Sequence, residues 1–187
     1  MNIAQFPKMI ISSHEGWDQL EKTHPSAEKL FFSLVVPLSL LPPIMLYHAG
    51  PHFGDAFFPG LGGKPWNMIA VMFFLAEMVT YAGMGWLIKT IADTYKVEIT
   101  LHDAYTLSAL SPIPLWLSSL SLLAPSLAFN AGAALLALGI SCAIIYHGVY
   151  AFCHMHEETV AASFTYTVAG AGLVAWAFLM LLVILPI

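Results

Sequence analysis

The chain has no arginine and only six lysines against eleven acidic residues, and charged residues make up 9% of its 187 positions. An ordinary soluble domain carries roughly a quarter charged residues, so a water-soluble globular protein is excluded. Without arginine, the planar forks that recognise phosphate are missing, and nucleic acid is excluded as a partner. Cysteine is equally scarce. Cys142 and Cys153 fall on one apolar stretch, about 16 Å apart at 1.5 Å per helical residue, too far for a disulfide. What fills the sequence is apolar: 59% hydrophobic residues, with 12 Phe, 7 Tyr and 5 Trp. So much apolar surface excludes a disordered chain, and the solvent that suits it is lipid.

About 20 apolar residues cross a bilayer, and five stretches qualify: Lys29–His48, Trp66–Ile91, Ala104–Ala124, Phe129–Phe152 and Phe164–Pro186. The fold class expected is therefore all-α, a polytopic membrane protein of five transmembrane helices preceded by a short interfacial helix. Residues 1–27 form the segment before the membrane, and residues 28–187 the five-helix domain. The first apolar run, Met9–Ile11, is too short for a cleavable signal, which makes Met1 the expected start of the mature chain. With the N-terminus inside, one side holds Lys8, Lys22, Lys29, Lys89 and Lys96 and the other only Lys64. The positive-inside rule then predicts a multi-pass inner-membrane protein with a cytoplasmic N-terminus and a periplasmic C-terminus.

Ser12 and Glu15 have capping-box spacing, and Trp17 and Leu20 are expected on the lipid-facing side of the helix that follows. Pro37, Pro42 and Pro43 in the first span and Pro112 and Pro114 in the third free carbonyls inside the membrane. Pro42, Pro43, Pro112 and Pro114 are the candidate kinks or hinges. The small residues Ala133, Ala137 and Ser141, and Gly170, Ala171, Gly172 and Ala175, favour close helix packing.

Three groups could carry chemistry. Glu77 lies 11 residues into the second span, about 16 Å deep, near the bilayer midplane. An acid there marks an ion or proton pathway, or else sits protonated and hydrogen-bonded in the bundle, with Ser118, Ser119, Trp116 and Ser141 at matching depth. At the inner end of the fourth span, Cys153, His154, His156, Glu157 and Glu158 are candidate ligands of a metal ion, since Cys153 and Glu157, and His154 and Glu158, are each four apart. His48, His52 and Asp55 form a third set, with Gly50 and Pro51 expected to interrupt any helix between the two imidazoles. Trp66, Trp86 and Tyr95 are expected as interfacial anchors. No nucleophile stands with a base and an orienting group, so no enzyme activity and no other cofactor are expected.

Several short strings together resemble the bacterial YohC-like branch of the Yip (Ypt-interacting protein) family. They are the run Pro114 to Pro125, PLWLSSLSLLAP; Tyr146-His147-Gly148; Glu157-Glu158; Ser163-Phe164; Ala82-Gly83 followed by Lys89–Tyr95; and the His14–Leu20 segment with Trp17. The resemblance implies a five-helix membrane domain with a cytoplasmic N-terminal segment and no catalytic motif. Eukaryotic relatives are similar to adaptors that engage small GTPases. The resemblance implies an adaptor or organiser; with fewer than 30 residues before the first span, this chain departs from adaptors with a long cytoplasmic tail, and GTPase binding is not expected of it. A variant of the same expectation is an accessory subunit of a larger membrane complex. Its partners would be the bilayer and other membrane proteins or further copies of itself. The alternative is a small proton- or metal-linked transporter or channel built around Glu77.

Overall fold

The computed structural model describes residues 6–12, 17, 20, 23, 25–153 and 158–185, and of residues 6, 7, 153 and 158 the backbone alone. Every regular element among them is helical. A short helix, α1 (Phe6–Ile11), precedes five helices long and apolar enough to cross a membrane: α2 (Ala27–Phe57), α3 (Trp66–Thr94), α4 (Leu101–Leu123), α5 (Leu127–Cys153) and α6 (Glu158–Ile184). The end of α6 lies against Lys64 in the loop between α2 and α3, at the end of the bundle opposite the start of α2; these two ends are here called the far side and the N-side.

Proline divides the crossings unequally. In α2 the turn widens to π geometry over Phe31–Val35, the backbone N–H of Val36 reaching the carbonyl of Phe31. That wider turn makes room for Pro37, whose ring would otherwise strike a carbonyl four residues back. A second slip at Leu40 restarts the helix with Pro42 and Pro43 in its first turn, where no backbone donor is required. α4 breaks at Ser111 and Pro112, resumes over Ile113–Ser118 with Pro114 in its first turn, and tightens to a 3₁₀ turn over Ser119–Leu123. α3, with no internal proline, runs for 29 residues without interruption.

The ends are closed by local chemistry. Thr100 caps α4 by accepting the N–H of Asp103 at 3.1 Å, and Ser26 caps α2 by accepting that of Lys29 at 3.3 Å. At the end of α3, Lys96 adopts φ 56°, so that its N–H reaches the carbonyl of Asp93 and that of Val97 reaches Ala92 at 2.8 Å. This is a Schellman turn with lysine where glycine is usual. Lys64, in the α2–α3 loop, donates its ammonium to the last carbonyls of α6, Val183, Ile184 and Leu185, at 2.8–2.9 Å. A cation against the negative end of a helix dipole is stabilising, and no periodicity in the sequence announces this contact.

The packed core lies at the N-side end of the bundle. Val35, Ile88, Leu107, Leu110, Ile144, Val149, Phe164 and Val168 are fully enclosed there. Met9, Trp17 and Leu20 join the same core. Trp17 therefore does not face lipid as its spacing suggested. Its indole N–H donates to the carbonyl of Met9 at 3.1 Å, and its ring stands edge-on to Phe152 at 5.4 Å. Gly148 permits this, since a Cβ there would come within 2.6 Å of Trp17 and of Leu107. Ser12 is described, but the rest of the expected capping box, including Glu15, lies outside the described residues.

Two further sequence expectations give way. α2 continues through Gly50 and Pro51 to Phe57, where the sequence predicted an interruption. Pro51 forfeits only one backbone bond near the helix end, and Gly50 lies beneath the Trp66 indole, which a Cβ would overlap. Trp66 is accordingly buried between α2 and α3 with its N–H on the carbonyl of Leu61, rather than anchored at the interface. Trp86, 62% exposed, does present its ring outward.

Candidate functional site

Above the core, the packing opens into a cavity of about 350 Å³. Its lining begins at Met84 on α3, Ser108 on α4, Ile145 on α5 and Ala169 on α6, each within four residues of enclosed core side chains on the same helix. From there it extends to Ser121, Asn130 and Val183, in the far-side turns of α4, α5 and α6. The cavity thus occupies the middle and far side of the bundle, and the core closes its N-side.

Glu77 projects into this space from α3 and is 6% exposed. Its Oε1 accepts a hydrogen bond from the Trp116 indole N–H at 2.9 Å. Trp116 reaches it because the break at Pro112 restarts α4 and presents the indole opposite α3, linking the proline positions to the acid. Oε2 has no hydrogen-bond partner. Ser141, also buried and on the cavity wall, has an equally unpartnered hydroxyl, and so does the carbonyl oxygen of Asn130. Ser118 and Ser119 donate instead to their own helix, to the carbonyls of Leu115 and Trp116. Of the four side chains at matching depth, one therefore holds Glu77, one shares its cavity with a free oxygen, and two are turned to backbone.

A buried polar atom without a partner destabilises a fold by about 1–3 kcal/mol, so three around one cavity are an arrangement that favours an occupant. The remaining walls are mostly apolar and aromatic, with Phe73, Tyr81 and Trp176 beside Trp116 and hydroxyls from Thr80 and the serines of α4 among them. This combination, a concave, largely apolar surface with a few polar atoms on its wall, is the usual form of a small-molecule site.

The other candidates stand apart from it. The possible metal ligands at the inner end of the fourth span lie outside the described residues: His154, His156 and Glu157 entirely, and Cys153 and Glu158 beyond their backbone, which ends α5 and begins α6. On the far side, His48 and His52 stack at 5.0 Å on one face of α2, a contact made possible by the unbroken helix. Asp55 is engaged elsewhere, its carboxylate accepting the N–H groups of Gly60 and Gly62 at 3.0 Å and folding the loop that follows. Among the described residues, no three His, Cys, Asp or Glu side chains converge as a metal site would require.

No curated protein and no solved structure shows significant similarity to this chain. The Yip1 domain family model matches residues 8–179, a stretch that takes in most of α1, the Trp17 contact and Glu77 with most of its cavity lining. Matched over nearly all its length, and folded as five apolar helices, the chain belongs to the Yip1-domain family of membrane proteins.

Proposed function

We propose that this protein is a non-enzymatic organiser or adaptor of the bacterial inner membrane, of the YohC-like branch, which acts on neighbouring membrane proteins through its outer helix faces. Its N-terminus lies in the cytoplasm, as the distribution of lysines favours. The observation that carries this reading is the closed N-side of the bundle. The enclosed side chains on α3, α4, α5 and α6 lie between the cavity lining and the N-side ends of those helices. A conducting pathway would need a passage through them. The exposed side of α6, with Tyr166, Val174 and Phe178, is available to lipid or to a partner helix.

Photo-crosslinking residues placed at Tyr166 or Phe178 in native membranes should give a discrete adduct with another membrane protein. Adducts with lipid alone would overturn the proposal. A second reading, a proton- or metal-linked transporter, is favoured by the unpartnered Glu77 Oε2 facing the cavity. In liposomes with an internal pH dye, the organiser predicts proton entry equal to that of protein-free vesicles. Faster entry that Glu77→Gln abolishes would establish the transporter instead.

A further inference from the structure

We propose that the cavity is a binding site for a lipophilic organic cation, held by the Glu77 carboxylate and the aromatic side chains around it. Charge is the first argument. Glu77 is more than nine-tenths buried, and Trp116 occupies one of its oxygens while the other is unpartnered. No lysine or histidine is found among the described residues lining the cavity. The protein supplies no counter-charge there, and an acid deep in a low-dielectric interior needs one or must remain neutral. A cation that enters the cavity supplies it.

The walls select what kind of cation. Phe73, Tyr81, Trp116 and Trp176 line the same space, and aromatic rings attract cations through their quadrupoles, with tryptophan the strongest. A metal ion would require several oxygen or nitrogen ligands at one point, whereas of the three free oxygens here the Asn130 carbonyl lies 11 residues, about 16 Å, along α5 from the Ser141 hydroxyl. A small, strongly hydrated amine would lose its water without replacement. A cation whose charge is spread within an apolar body would lose little hydration and cover the apolar walls. At about 350 Å³ the space lies in the range of small-ligand pockets, roughly 300–1,000 Å³. Such a ligand also partitions into the bilayer, and the far-side extent of the cavity offers it a route to Glu77. Binding of this kind is independent of the organising role, since it is read in detergent solution, where neither partners nor flux contribute.

The probe is radiolabelled tetraphenylphosphonium, with the purified full chain in detergent micelles and equilibrium dialysis against empty micelles. Saturable binding that unlabelled probe displaces is expected. Glu77→Gln, which keeps an acceptor for the Trp116 indole, should weaken it about tenfold or more while eluting as the same monodisperse species. Trp176→Leu should weaken it several-fold. Neutral triphenylphosphine oxide should not compete with the parent protein, a comparison that needs no variant to fold. Three results would overturn the assignment: binding no greater than partition into micelles, affinity unchanged in Glu77→Gln, or equal competition by the neutral probe, which would make the cavity a site for uncharged amphiphiles.

Discussion

Trp17 and Gly148 are predicted to be energetically coupled, and a double-mutant cycle measures the coupling. The Trp17 side chain is 1% exposed, donates to the Met9 carbonyl at 3.1 Å and meets Phe152 edge-on. Truncating such a residue to alanine destabilises by about 3–5 kcal/mol, a range that includes the cavity left behind. Its hydrogen bond contributes about 1 kcal/mol of this, and the aromatic pair about another. On the scaling of soluble domains, 3 kcal/mol lowers the melting temperature of a chain this size by about 6–12 °C. Gly148→Ala has a different origin. It adds a methyl group 2.6 Å from both Trp17 and Leu107, an overpacking worth about 1–3 kcal/mol. If the glycine exists to admit the indole, then in a Trp17→Ala background roughly half of that penalty disappears, leaving the clash with Leu107. The expected coupling is about 1 kcal/mol, above the few tenths by which independent sites fail to add. The assay is thermal unfolding in detergent for the four proteins, with limited proteolysis of the segment before residue 27 as a second readout. Cleavage there should accelerate in both single variants. Strictly additive melting shifts, or a Trp17→Ala protein as stable and protease-resistant as the parent, would refute the docked position of the N-terminal segment.

Lys96→Gly should raise stability by about 1 kcal/mol, because the Schellman turn holds residue 96 at φ 56°, which a side chain opposes; a fall in melting temperature would contradict that turn. Lys64→Met should leave the end of α6 without its donor to the Val183, Ile184 and Leu185 carbonyls, and hydrogen exchange at residues 180–185 should rise while α3 is unaffected. Gly50→Leu should displace the Trp66 indole, destabilising by about 1–3 kcal/mol and shifting tryptophan emission; an unchanged spectrum would place the ring elsewhere. Thr100→Ala should destabilise by about 1 kcal/mol through loss of the cap on Asp103, with Thr100→Ser recovering most of it in the same unfolding assay.

The five crossings were legible in the sequence because lipid leaves the backbone few options: a span must satisfy its own hydrogen bonds, and apolar length alone reveals it. Boundaries were less legible. The first helix extends nine residues beyond His48, since Pro51 near its end forfeits only one bond and Gly50 allows Trp66 to pack against the turn. Glu77 stood out by depth, and its tryptophan partner was among the side chains at the right level. The cavity was not visible, because it depends on where α4 restarts after Pro112 and on how far α6 remains packed, neither of which a one-dimensional pattern contains. Trp17 shows the same limit from the other direction. Its spacing with Leu20 is that of a helix lying on lipid, and the same spacing serves a helix lying on protein. Gly148 decides between them, 131 positions later in the chain, by leaving a gap in which the indole fits. The N-terminal segment and α5 therefore share one core, in which Met9, Trp17 and Leu20 are buried. A contact that displaces Trp17 would remove the indole from above Gly148 and loosen the seal below the Glu77 cavity, coupling the N-side surface to the cavity through a single side chain. Measuring the same cation probe in the Trp17→Ala protein tests that coupling: a shift in its affinity of about threefold or more is expected, and identical binding in the two proteins would separate the seal from the site.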